Sequence, residues 1–249
     1  MLILDYIKAN WQLKNNVFAL STTTIGGISK PPYDTNNLAT HVGDNELDVQ
    51  DNRKQLIEQL NLPSTPQWLE QTHSNHCVVI ETDSNRIADA SVTRKPNIVL
   101  AILTADCLPI VITNKQGSEI AAIHAGWRGL ANGIIENTIA KIQSPSDHLI
   151  AWIGPSICFH CYETGEEILT AFTSQYPFTQ TAFQFQENKL HANLPELAEM
   201  ILKNHGISAV YQSKQCSYET KIENNVKNKY YSYRRQKQTG RIATLIWFK

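Results

Sequence analysis

Apolar residues recur along this chain in short β-type runs that are interrupted, at irregular intervals, by helical spacing. Val17 to Thr24 alternates apolar residues with Ser and Thr and reads as a strand that ends at Gly26-Gly27. Asn45 to Leu60 places Val49, Arg53, Leu56, Ile57 and Leu60 at three- and four-residue steps, the spacing of a helix, and Leu62-Pro63 stops it. Five strands are expected in the middle of the chain: His76 to Ile80, Ile98 to Leu103, Leu108 to Thr113, Ile120 to Ile123 and Leu149 to Ile153. Gly129 to Ile142 carries Ile134, Ile135, Ile139 and Ile142 on one helical face, and Gly165 to Phe172 is a second helix candidate. The best-marked helix runs from Asn193 to Asn204, with Asn193 as cap, Pro195 in the first turn and Gly206 past the end. Ile242 to Phe248 closes the chain as a strand.

Strands and helices do not alternate regularly. The pattern therefore predicts a mixed α/β or α+β fold rather than a doubly wound parallel sheet. No repeat, low-complexity tract or Pro/Gly linker divides the sequence, so residues 1–249 are expected to form a single domain. Neither a Gly-x-Gly-x-x-Gly run nor a P-loop is present, which removes the common nucleotide-cofactor folds.

Composition adds exclusions more than assignments. With 42% hydrophobic and 18% charged residues and a net charge of −1, the chain has an ordinary core and no basic footprint for nucleic acid. Asp5 interrupts the opening run Met1-Leu2-Ile3-Leu4, and no basic segment precedes it, so no signal peptide is expected. The most apolar stretch, Ile98 to Ile112, is broken by Asp106 and Pro109, so no membrane helix is expected. The five cysteines, an odd number, suggest reduced thiols in the cytoplasm.

Chemistry concentrates in three segments where a strand gives way to a turn. They are Gln71-Thr72-His73-Ser74, Thr104-Ala105-Asp106-Cys107-Leu108-Pro109 and His124-Ala125-Gly126-Trp127-Arg128-Gly129. Taken singly, His73, Cys107 and His124 read as core residues, and their spacing matches no local zinc motif. Taken together, two imidazoles and a thiolate suit zinc or copper, and three protein ligands leave one position open, as catalytic zinc does. The Gly126–Gly129 turn with Arg128 suits an anion, or is simply a tight turn with a surface arginine. Ser232-Tyr233-Arg234-Arg235 and Gly240-Arg241 put arginines close together, either for phosphate or as a solvated loop. Trp127 and Tyr162 are candidates to stack on a base, or core residues. Cys158-Phe159-His160-Cys161 has Cys-x-x-Cys spacing; with no second Cys pair and no thioredoxin-like context, packing residues are expected.

These motifs, with Ile153-Gly154-Pro155-Ser156-Ile157, Cys161-Tyr162-Glu163 and Ser232-Tyr233-Arg234-Arg235, resemble the laccase-domain family, also called polyphenol oxidase or multicopper-oxidase-like. Members of that family have been reassigned as purine nucleoside phosphorylases, and the matches run in family order from about Ser21 to Arg241. The resemblance implies an α/β sandwich with mixed sheets flanked by helices, like the deamidating cytotoxins in architecture. It implies a metal on His73, Cys107 and His124, most often zinc, with copper also claimed. It further implies phosphorolysis of adenosine, inosine and methylthioadenosine, and deamination of adenosine. The expected partners are purine nucleosides and phosphate, with no nucleic acid or membrane, in a monomer or homodimer.

Within that reading His73, Cys107, His124 and Asp106 are the catalytic candidates, Asp106 as a partner of a ligand His or as a proton donor. Arg128, Asn37, Gln71 and Arg234 are the substrate and phosphate candidates. The family's usual Thr-Arg-x-Gly-Gly run is here Thr23-Thr24-Ile25-Gly26-Gly27, so the arginine is replaced by Thr24. Competing readings are a copper polyphenol oxidase, a cysteine hydrolase or amidase linked to peptidoglycan editing with Cys107 as nucleophile and His124 as base, and a non-catalytic binding module.

Overall fold

The computed structural model describes residues 3–13, 16–222 and 227–249; Met1 and Leu2, where the opening apolar run begins, lie outside the described residues. In chain order the elements are β1 (Tyr6–Lys8), β2 (Val17–Thr22), α1 (Glu46–Leu60), β3 (Cys77–Val79), β4 (Ala90–Thr93), β5 (Leu100–Thr104), β6 (Leu108–Asn114) and β7 (Ile120–Ala125). They continue with α2 (Trp127–Ala131), α3 (Ile134–Ile139), β8 (Leu149–Ile153), α4 (Glu166–Gln175), β9 (Phe183–Gln186), β10 (Lys189–Ala192), α5 (Leu194–Asn204), β11 (Ala209–Gln212) and β12 (Ile242–Phe248).

Two sheets carry the fold. One is four-stranded and antiparallel, in the order β1-β2-β12-β5. The other has six strands in the order β11-β8-β6-β7-β4-β3 and is mixed: β11 with β8 and β4 with β3 are parallel, the remaining pairs antiparallel. A separate hairpin joins β9 and β10.

Strict two-residue alternation sorts the strand side chains into layers. On β5, Leu100 and Ile102 enter the core between the sheets, while Ala101 and Leu103 face α1. On β12, Ile246 and Phe248 point inward, and Ala243, Leu245 and Trp247 outward to the same helix layer. On β6, Val111 faces the other sheet, and Ile110 and Ile112 face the helices α2 to α5. The stack is thus α1, four-stranded sheet, six-stranded sheet, helices, with three apolar cores between four layers. The mixed α/β sandwich expected from the motifs is the fold the chain adopts. Among the described residues no helix is long and apolar enough to cross a membrane.

Helix signals in the sequence translate into caps. The Asn45 side chain accepts from the Leu47 and Asp48 amides at 2.9 and 3.2 Å, and Asn61 ends α1 in the left-handed region at φ 47°. Asn193 likewise accepts from Glu196 N. The helix expected over Gly129 to Ile142 is instead two short pieces. They are broken at Asn132-Gly133, where Gly133 takes φ 86°. The segment also starts earlier than expected, at Trp127, and this start is what turns the chain at the rim of the sandwich.

Replacing Asn45 with Ala is expected to cost about 1 kcal/mol through loss of the α1 cap. Trp152→Ala, which empties the core between the sheets, is expected to cost about 3–5 kcal/mol. Urea denaturation followed by circular dichroism measures both, and equal costs would contradict the layering.

Candidate metal centre and its cavity

All three chemistry-bearing turns lie at one rim of the sandwich. The turn at residues 105–107 leaves β5 in the four-stranded sheet and enters β6 in the six-stranded one, so Cys107 sits where the chain crosses between sheets. His124 is near the end of β7, next to β6, where it pairs with Pro109. His73 approaches from the loop before β3 and takes φ 61°, a left-handed conformation that a non-glycine residue holds only when its surroundings fix it.

Asp89, fully buried just before β4, fixes it. Its Oδ1 accepts from His73 N at 3.0 Å, and its Oδ2 accepts from Thr72 N at 3.2 Å and Ser74 N at 2.6 Å. The Ser74 hydroxyl adds a 2.7 Å bond. The same Oδ1 lies 2.7 Å from His124 Nδ1, so the His73 turn and the His124 ring share one carboxylate. With Nδ1 engaged, His124 presents Nε2 to the site.

The donor atoms of His73, Cys107 and His124 all lie within 4.8 Å of one another. Cys107 Sγ is 3.8 Å from His73 Nε2, and the two imidazole rings meet edge to face at 4.7 Å. A tetrahedral ion with bonds of about 2.0–2.3 Å holds its ligand atoms roughly 3.3–3.8 Å apart, so the three side chains fit one ion with little adjustment. The chemistry of the set agrees. Burial pushes the Cys107 thiol up, but hydrogen bonds and charge from His124 and His73 outweigh it and bring the thiol down to about 6. Burial pushes His124 down, but Asp89 and Cys107 raise it to about 9. Burial likewise pushes Asp89 up, yet bonds from His124 and Ser74 hold its carboxyl well below the usual carboxylate range. An anionic sulfur held against two imidazoles is a donor set that attracts a cation.

Two glycines of the His124–Gly129 run are required by close packing. A Cβ on Gly126 would come within 2.7 Å of His73 Cδ2 and 3.2 Å of Cys107 Sγ. A Cβ on Gly129 would come within 2.7 Å of the Ser74 carbonyl. Helix α2 therefore presses directly on the turn that carries His73.

The triad opens into a cavity of about 340 Å³, lined also by His41, Gln71, Arg128, Tyr233 and Arg241. Arg128 is exposed and stacks on the Trp127 ring at 4.5 Å, and among the described residues its guanidinium has no hydrogen bond or ion pair. Arg241 donates one Nη to the Thr239 and Gly240 carbonyls at 2.9 Å, which fixes its guanidinium. His41 is pushed below its ordinary value by partial burial and then by the Arg241 and Arg53 charges, so it is neutral at neutral pH.

Four expectations change. Asp106 does not serve a ligand histidine: its Oδ1 accepts from the Ser217 hydroxyl at 2.6 Å and its Oδ2 from Arg234 N at 2.7 Å, bonds that hold its own turn at φ 93°. Asp89, which carried no motif signal, takes the ligand-orienting part. Asn37 is buried, with its amide spent on Ala39, Asp44 and Arg241 N, so it shapes the loop below the cavity. Arg234 points away, donating to the Glu163 carbonyl and lying over Tyr162, and Arg241 faces the cavity in its place. Gln71 does line the cavity, but its amide is clamped on the Leu103 peptide by two 2.8 Å bonds. Thr24, at the position of the family arginine, bonds the Asn228 carbonyl and lines a different cavity. Helix α2 is too short, at five residues, to supply the anion site expected from its N-terminus.

Comparison with known proteins identifies the family. The family model described as multi-copper polyphenol oxidoreductase laccase matches residues 18–249. A purine nucleoside phosphorylase of Haemophilus influenzae is 40% identical over 247 residues, 98% of this chain and 99% of that protein. The Escherichia coli K12 purine nucleoside phosphorylase YfiH is 40% identical over 243 residues, 97% and 98% of the two chains. The crystal structure of Neisseria meningitidis protein NMB0706 superposes with a TM-score of 0.89 at 38% identity, covering 98% of this chain and 99% of that one. On the match along nearly all of its length and on its fold, the chain belongs to the multi-copper polyphenol oxidoreductase laccase family.

Proposed function

We propose that this chain is a purine nucleoside phosphorylase that binds zinc through His73, Cys107 and His124. The observation that carries the reading is one cavity holding both a three-donor metal set and two guanidinium groups, those of Arg128 and Arg241. Relatives about 40% identical over nearly the whole chain are named purine nucleoside phosphorylases. Adenosine, inosine and methylthioadenosine are the substrates proposed, with deamination of adenosine as a second activity of the same cavity.

In phosphorolysis a phosphate oxygen bonds to the anomeric carbon as the glycosidic bond breaks, and the bonding electrons leave with the purine, which takes up a proton. Positive charge develops on the ribose, so phosphate held against that carbon both attacks and stabilises. Arg241, pinned by two backbone carbonyls, is pre-oriented for that phosphate, and Arg128, fixed only by stacking on Trp127, is free to close on it. Neutral His41, beside Arg241, offers one N–H and one lone pair for phosphate or ribose hydroxyls. Tyr233, exposed on the cavity wall, offers a ring face to the base. Zinc held by His73, Cys107 and His124 would supply Lewis acidity, the chemistry that deamination of adenosine requires.

A second reading has an observation of its own. Cys107, His124 and Asp89 are connected as a thiol, an imidazole and a carboxylate, the arrangement of a cysteine hydrolase. His73 distinguishes the two readings: a thiol nucleophile has no need of a second imidazole 3.8 Å from its sulfur, whereas a metal does.

Purified protein given inosine and phosphate is expected to yield hypoxanthine and ribose 1-phosphate, with zinc detected by elemental analysis. Hypoxanthine appearing equally without phosphate would show hydrolysis, and Cys107→Ala protein with the same zinc content as the unaltered chain and full activity would remove both readings. Arg241→Ala is expected to lower kcat/KM for phosphate by about 10–100-fold, corresponding to about 1.5–3 kcal/mol for a charged hydrogen bond, and Arg128→Ala by less. An unchanged phosphate dependence in both would place the anion elsewhere. Asp89→Asn is expected to weaken zinc by about 10–100-fold, and Gly126→Ala to weaken it as well by displacing His73; competition with a chromophoric chelator reads both.

A further inference from the structure

Three more thiols converge on the far side of Asp106. Cys158 and Cys161 bracket a single tight turn after β8, in which Cys161 N donates to the Cys158 carbonyl at 3.2 Å. Cys216 comes from the segment after β11, where residue 216 bridges Ser156 in parallel. Cys158 N lies 3.3 Å from Cys216 Sγ and donates to it, which favours the charged form of that sulfur. Three residues on, Glu219 turns its carboxylate back onto the pair: Oε1 is 3.4 Å from Cys158 Sγ and Oε2 is 3.4 Å from Cys161 Sγ. None of the three cysteines is in a disulfide.

Four groups that ionise to anions thus place one donor atom each within 4.8 Å of the others. Glu219 is exposed, and the protein partners of its carboxylate among the described residues are the two thiols, which are weak donors. The spacing is that of a metal site. A tetrahedral zinc with sulfur at about 2.3 Å and oxygen at about 2.0–2.2 Å separates the two ligand types by roughly 3.6 Å, close to the two 3.4 Å distances. Cys-x-x-Cys supplies two ligands from one turn, as structural zinc sites do. Spacing alone pointed to packing because the other two ligands come from a segment that only the fold brings alongside.

We propose that Cys158, Cys161, Cys216 and Glu219 form a second, closed metal site that binds one zinc ion and joins the turn after β8 to the segment after β11. Four protein ligands leave no open position, so this ion is structural. Thiolates select a soft or borderline ion, and the carboxylate favours zinc over copper(I). The site differs from the first in donor set and in place, since Cys158, Cys216 and Glu219 line a separate cavity of about 400 Å³. Its two segments both hold Asp106: Ile157 N donates to the Asp106 carbonyl at 3.0 Å, and the Ser217 hydroxyl donates to its carboxylate. The second ion therefore braces the turn that presents Cys107.

The test is metal stoichiometry in full-length protein purified with zinc and reductant. Cys107→Ser removes a ligand of the first site only and is expected to retain about one zinc per chain. Adding Cys158→Ser and Cys161→Ser to it is expected to leave none. Cobalt(II) replacing that zinc is expected to show thiolate-to-metal charge-transfer absorption and the intense visible bands of a tetrahedral ion. Glu219→Gln, an exposed change that leaves the core intact, is expected to weaken zinc roughly ten-fold or more in chelator competition. A Cys107→Ser chain with all its thiols reduced and no zinc, or a zinc that survives loss of Cys158 and Cys161, overturns the proposal. No arm reads nucleoside turnover, so failure of the proposed activity and failure of this site are separate results.

Discussion

A buried carboxylate must be met by donors or it is protonated, and Asp89 is met by six. Three successive backbone amides, two hydroxyls and one imidazole surround it: Thr72, His73 and Ser74 from the loop before β3, and His124 from β7. The remainder of the site follows from that arrangement. The amides force His73 into a left-handed turn it would otherwise avoid, at a cost of about 1–3 kcal/mol. The imidazole bond rotates His124 so that its free nitrogen faces Cys107. Because one residue fixes both His73 and His124, the two side chains cannot drift apart independently.

That economy requires a fold in which strands from two sheets end together. Cys107 occupies the crossover from β5 to β6, and the layers on either side are sealed by fully buried Leu100, Ile102, Ile110 and Ile112. The crossover is strained at Asp106, and contacts from three separate segments offset the strain: Ile157, Ser217 and Arg234. Two of those three are neighbours of the second cysteine cluster. The arrangement makes the Cys107 turn the meeting point of the segments after β8, after β11 and before β12.

Much of this was legible in the sequence, for physical reasons that can be named. The strands Leu149–Ile153 and Ile242–Phe248 are apolar runs, the second broken only by Thr244, buried on both faces, and their boundaries emerge unchanged. Asn45 and Asn193 announce their helices because caps are local chemistry. The triad was legible because each member sits in a distinctive turn. Asp89 was not: Ala-Asp-Ala-Ser carries no motif, and its importance comes from four partners far away in sequence, Thr72, His73, Ser74 and His124. Short strands such as β4, β9 and β10 were missed because three or four residues hold too little periodicity. Asn37 and Arg234 were misplaced because residue type shows what a side chain can bind but not which backbone groups reach it first. Arg241, only one strand-start away, had the same chemistry and the right direction.

The family's description invokes several coppers, and the distribution of imidazoles in this chain bears on that. Oxidation of phenols by dioxygen at a multicopper centre needs clustered histidines to hold several ions close together. The chain has eight histidines, all within the described residues, and only His73 and His124 fall in a group able to share an ion. The second cluster contains no imidazole, and its three cysteine sulfurs and a carboxylate suit a redox-inert ion with tetrahedral preference. Meanwhile Arg128 and Arg241 bring two positive charges to the triad cavity, which a neutral phenol would leave unpaired and a phosphate would match. Donor chemistry and cavity charge therefore both count against a multicopper phenol oxidase, and the charge matches the phosphate of the proposed reaction.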